Sequence, residues 1–106
     1  MEPISMILLA MTLFGGGAAA AGVVAIAYLT IRDVMSWFRE RRHRLRNANV
    51  AATVVEHLNN GQYRTVQGIL NQDTGRWLEH RVIESAGIDT ELAARHRGRR
   101  LVIHTV

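Results

Sequence analysis

The chain has 106 residues, with 13 basic side chains against 9 acidic ones, a formal net charge of +4 and no cysteine. That length holds one small domain, and the lack of thiols excludes disulfides, thiolate metal sites and cysteine nucleophiles. The charge is unevenly placed: residues 3 to 31 carry none, whereas residues 32 to 106 hold every arginine and every acid except Glu2.

The first predicted element is the uncharged run from Ile4 to Ile31. A bilayer core of about 30 Å is crossed by roughly 20 helical residues, so this run is long enough to span one. A helix also pairs its own backbone groups, as lipid demands. Ala25-Ile26-Ala27 offers a signal-peptidase pattern, but Glu2 stands where a signal peptide carries basic residues, which favours a retained anchor. Arg32, Arg39, Arg41, Arg42, Arg44 and Arg46 follow the run and none precedes it. The positive-inside bias then places the protein in the cell membrane with its N-terminus outside and its C-terminus in the cytoplasm. Tyr28, Trp37 and Phe38 suit the headgroup layer.

Within the run, residues 15 to 22 are all glycine or alanine. The pairs Gly15/Ala19, Gly17/Ala21 and Ala18/Gly22 have the spacing that lets two helix backbones approach closely. These six residues are the candidate helix-packing positions, and they point to a homo-oligomer or a membrane-protein partner.

Residues 32 to 46 read as a basic juxtamembrane helix, with Met35, Phe38, Arg42 and Leu45 recurring at helical spacing. Arg39, Arg41, Arg42, Arg44 and Arg46 are the candidate contacts for anionic lipid headgroups or an acidic partner, each worth about 1 kcal/mol at a charged surface. Clustered arginine also neutralises nucleic-acid phosphates. No base-reading motif accompanies it, so nucleic acid is the disfavoured partner.

Residues 47 to 106 read as a small α+β cytoplasmic domain. A helix is expected over residues 47 to 60, with Ala48, Ala51, Val54, Val55 and Leu58 on its apolar face and Asn60-Gly61 as its stop. Val, Thr and Ile between Tyr63 and Leu70 predict a strand, Gln72-Asp73-Thr74-Gly75 a hairpin turn, and Arg76 to Glu84 a second strand. Asp89-Thr90 caps a further helix through His96, Gly98 ends it, and a last strand starts at Leu101. The order is α-β-β-α-β, and the three-stranded sheet leaves an open edge for docking. The expected fold class is thus a membrane protein with one N-terminal transmembrane α-helix (1–31), a basic juxtamembrane helix (32–46) and a small α+β domain (47–106).

With Tyr63, Val66-Gln67-Gly68-Ile69, Asp89, Glu91-Leu92-Ala93, His96 and Leu101-Val102, the tail resembles small uncharacterised single-pass membrane proteins of actinobacteria or their phages. The resemblance implies no activity and assigns no functional residue.

Chemistry-bearing motifs are sparse. Asp73-Thr74-Gly75 matches the aspartic-protease signature, which works as two copies sharing a proton; one copy in a hairpin turn is explained by the turn. His43, His57, His80, His96 and His104 never occur at close metal-ligand spacing. His80, His96 and His104 could converge in the folded tail beside Glu79 or Glu84, although solvated histidines are the commoner case. Ser5, Ser36 and Ser85 lack a nucleophile elbow, and no phosphate-binding glycine loop is present. The membrane run has no ionisable group between Glu2 and Arg32, which argues against conduction. The expectation is a membrane-anchored, non-enzymatic interaction or assembly protein with no cofactor and no metal. The alternatives are a holin-like permeabilising oligomer and a membrane-tethered nucleic-acid binder.

Overall fold

Where the sequence suggests the end of a membrane helix, the backbone is extended. The structure, a computed structural model, describes residues 23–106, and its first element is a strand, β1, at Val23–Leu29. Helix α1 (Ile31–Glu40) and a 3-10 turn (Arg42–Arg44) follow. Then come β2 (Asn49–His57), β3 (Tyr63–Asn71), β4 (Arg76–Ile88), helix α2 (Thr90–Arg95) and β5 (Leu101–His104). The strands form one five-stranded sheet in the order β1-β4-β3-β2-β5. β1 runs parallel to β4, and the other neighbours are antiparallel.

This overturns the expected transmembrane fold. Val23, Val24, Ile26 and Tyr28 are β-branched or aromatic, types that fit a pleated surface, and they pair with Val82 to Gly87 of β4. Among the described residues no helix is long and apolar enough to cross a membrane. The single-pass topology and the cell-membrane localisation are corrected with it, because the orientation rested on a membrane helix ending at Ile31. The rest of that run, Ile4 to Gly22, lies outside the described residues, as do the packing positions Gly15, Gly17, Ala18, Ala19, Ala21 and Gly22.

The helix expected over residues 47 to 60 is also corrected: Asn49–His57 is strand β2. Ala51 and Thr53 point to one face and Ala52 and Val54 to the other, and all four are buried. A strand covered on both faces reads as a continuous apolar run and imitates a helix segment. The sheet therefore has five strands in place of the three expected, and the basic helix stops at Glu40 without reaching Arg46.

Helix α1 places Ile31, Val34, Met35 and Phe38 on one stripe and leaves Arg32, Asp33, Ser36, Arg39 and Glu40 exposed. That is the amphipathic pattern of a helix lying on a core. Thr30 caps its start by accepting from the Asp33 amide at 3.1 Å. Phe38 and Val34 are fully buried against Leu29, Ala51, Ile69, Ile83 and Leu92, the last from α2. Burying one Phe of this kind contributes about 1.5–3 kcal/mol. Both helices lie on this face. The opposite face buries its own cluster of Ala52, Val54, Val66, Leu70, Trp77 and Val82.

The two parallel strand ends are clasped by Asp89. Its amide donates to Leu29 O at 2.8 Å, and its carboxylate accepts from Ile31 N at 3.0 Å and Glu91 N at 3.1 Å. Those amide hydrogen bonds, that from Ile31 first, hold the Asp89 carboxyl below its ordinary pKa. At the far end of the sheet, Asn71 Oδ1 accepts from the Asp73 and Thr74 amides, both at 3.0 Å, and builds the turn into β4. Gly75 completes the turn with φ 70°.

Gly68 sits where β4 bulges opposite Ile69 and Leu70. A Cβ there would stand 2.4 Å from the Glu79 carbonyl oxygen and 2.7 Å from Trp77 Cε3. Gly68→Ala must therefore push β3 and β4 apart, and a loss of about 3 kcal/mol in stability is expected by urea denaturation.

Candidate interaction site

One edge of the sheet is unusual in what it exposes. β1 carries no charged residue, yet Val23 is 37 %, Val24 43 %, Ile26 37 % and Tyr28 51 % exposed. An edge strand presents a row of unpaired backbone donors and acceptors. Natural sheets commonly protect such a row with charges, proline or a bulge. β1 has none of the three, and among the described residues no strand pairs with its outer edge and its apolar side chains are exposed.

Beside β1, α1 and the sheet enclose an open groove of about 320 Å³. Val24, Ile26, Leu29 and Ile83 form its apolar floor, with Asp33, Ser36, Trp37, Glu40 and Arg81 around it. Arg81 is fixed from beneath. Its Nε donates to Gln67 Oε1 at 2.7 Å, and Gln67 Nε2 donates to Val34 O of α1 at 2.6 Å. Gln67 is fully buried, so a sheet residue ties the helix backbone and the arginine together. Burial chiefly, then the Arg41 charge, pulls the Arg81 pKa down, while Asp33 and Glu40 oppose the shift. The guanidiniums of Arg41 and Arg81 lie 3.8 Å and 5.5 Å from the centre of the Trp37 ring.

The arginines singled out in the sequence divide into two groups. Arg41 donates to Glu79 at 2.7 Å and to Trp37 O at 3.1 Å, closing the C-terminal end of α1, and Arg44 donates to Glu79 at 2.9 Å. The hydrogen bond from Arg41 is the main reason the Glu79 carboxyl sits below its ordinary pKa; partial burial opposes it, and Arg44 assists. Arg39, Arg42 and Arg46 are exposed and make no ion pair among the described residues. The structure thus splits the run between holding α1 to β4 and facing solvent.

The histidines divide likewise. His80 projects from the face opposite the helices and packs near Trp77. His96 and His104 meet on the helix face, where both Nε2 atoms reach the buried Thr53 hydroxyl, at 2.7 Å and 2.6 Å. No group of three His, Asp or Glu side chains among the described residues is arranged to hold a metal ion. Asp73-Thr74-Gly75 lies in the exposed β3–β4 turn.

Sequence reasoning missed β1 as a strand, the Gln67–Arg81 support and Thr53. The density of β-branched residues in Val23-Val24-Ala25-Ile26 was the one available signal for the strand. The others depend on contacts across distant chain segments. No family model, curated protein or solved structure matches the chain.

Replacing Gln67 by Leu leaves the Arg81 Nε and the Val34 carbonyl without this partner. Chemical denaturation should show a loss of about 1–3 kcal/mol, and the Trp37 fluorescence should change as Arg81 is released.

Proposed function

We propose that this chain is a non-enzymatic assembly protein whose residues 23–106 join a second copy through the β1 edge. The observation that carries this reading is an uncharged, apolar edge strand exposed from Val23 to Tyr28. A two-fold antiparallel pairing of β1 with β1 of another copy uses one surface twice, the commonest form of homodimer. Centred on Ile26, it sets Val24 opposite Tyr28 and Ala25 opposite Ala27. Aromatic with β-branched is a favourable cross-strand pair, and no like charges meet because the strand has none. The same pairing continues the sheet from five strands to ten and covers the β1 edges of both copies at once.

The non-enzymatic part of the reading is supported by where the fold puts its titratable cluster. His96 and His104 are 8 % and 6 % exposed, and Thr53 between them is closed to solvent.

The test is sedimentation of the full chain against Ile26→Lys, with circular dichroism to confirm that both are folded. The wild type should sediment as a dimer. Ile26→Lys, which sets two lysines face to face at the two-fold, should be monomeric with an unchanged spectrum. A wild type that stays monomeric at its highest soluble concentration, or a lysine variant that stays dimeric, overturns the proposal.

A further inference from the structure

The contacts around Thr53 have a direction. A guanidinium only donates, so His104 Nδ1, 3.2 Å from Arg95 Nη1, must accept. In the neutral ring the hydrogen then sits on Nε2 and is donated to Thr53 Oγ1 at 2.6 Å. The single hydroxyl hydrogen of Thr53 is left to point at His96 Nε2, 2.7 Å away. His96 therefore carries its hydrogen on Nδ1 and donates it to Arg99 O at 3.2 Å. One arrangement of hydrogens satisfies the whole series, and both imidazoles are neutral in it. A proton added to His104 sets an N–H against the Arg95 donor. A proton added to His96 leaves the Thr53 hydrogen with no acceptor.

This series joins three elements and adds a buried polar tie to the β2–β5 ladder and to the core packing of Leu92. Thr53 belongs to β2, His96 follows α2, and His104 is in β5, a four-residue strand paired among the described residues with Ala51 to Val54 alone. We propose that the Arg95–His104–Thr53–His96 relay is an acid-opened latch that keeps α2 and β5 closed on the sheet.

Among the described residues, the surroundings offer an added proton no adjacent counter-ion. From α2 the rings face Arg95, whose carboxylate partner Glu91 is 3.5 Å away on the exposed side. From the α2–β5 connection come Arg97, Arg99 and Arg100, and Arg100 already engages Glu56 of β2 at 3.0 Å. From α1, the Phe38 ring lies 5.8 Å from that of His104 and brings no charge. Burial first, then the Arg95 and His96 charges, lower the His104 pKa from 6.5 to about 4; burial lowers that of His96 as well, against its hydrogen bonds to the Arg99 and Arg100 backbone, which raise it. Because the closed state takes the proton less readily than the open chain, closure is fully favoured above about pH 6.5. It weakens progressively as the pH falls towards 4.

Hydrogen exchange on the full chain, corrected for intrinsic rates, tests the latch independently of any pairing at β1. Protection of residues 90–106 should fall tenfold or more between about pH 7 and pH 5, while β3 and β4 keep theirs. The double variant His96→Gln/His104→Gln offers one donor and one acceptor at each site but cannot take the proton, so it should stay closed at pH 5. Wild-type protection that is level over this range, or loss in the double variant at the same pH as in the wild type, overturns the latch. Should the double variant not fold, NMR titration of His104 in the wild type decides: a ring protonated near pH 6.5 with β5 still protected overturns it, and protonation coincident with loss of β5 protection supports it.

Discussion

The amide of Gln67 is the point on which the arrangement of helix and sheet depends. Its nitrogen holds the Val34 carbonyl inside α1 and its oxygen holds Arg81 on the neighbouring strand. Apolar contact alone lets a helix slide and turn on a sheet at small cost, whereas a buried amide with both ends engaged tolerates one position. That position sets Phe38 into the core, brings Trp37 against Arg81 and Arg41, and determines the wall of the groove beside β1. A buried amide is costly unless it is satisfied. Gln67 meets that condition, so here it contributes specificity without leaving an orphaned group.

The two ends of the sheet solve the edge problem in opposite ways. At one end β1 is long, uncharged and joined by a parallel ladder, with no strand on its outer side among the described residues. At the other end β5 is short, and a polar relay ties it to the adjoining helix. Arginine serves the middle: Arg41 and Arg44 meet on Glu79, and Arg64 pairs with Glu84 across β3 and β4 at 3.0 Å. Partly exposed ion pairs of this kind add little stability. The Glu79 pairs hold the end of α1 to β4, and β1 is left as the apolar border of a basic protein.

How much of this could be read from the sequence depends on how far each signal reaches along the chain. The β3–β4 hairpin and the α2 cap are written locally, in Asn71 to Gly75 and in Asp89, and both stand where the sequence places them. β2 was not legible as a strand because Ala51, Ala52 and Val54 are buried on both faces, which erases the alternation that marks a half-buried strand. β1 was hidden by its neighbours: seven apolar residues at the end of a longer uncharged stretch share the composition of a membrane helix. Only pairing with β4 separates the two, and composition does not record pairing. The relay was invisible for the same reason, since Thr53 and its two histidines are 43 and 51 positions apart.

The clasp at Asp89 also dictates an order of events in the life of the chain. Ile31 and the carboxylate that receives its amide are 58 positions apart. β1 and α1 leave the ribosome well before the strand that gives β1 its register has been made. Through that interval β1 lacks its β4 partner, while the antiparallel β2–β3 pair, close in sequence, can already close. Synthesis therefore exposes the apolar β1 before the strand that pairs with it. Nascent chains on one message carry that segment side by side, so contacts between copies can begin before any single copy has finished folding.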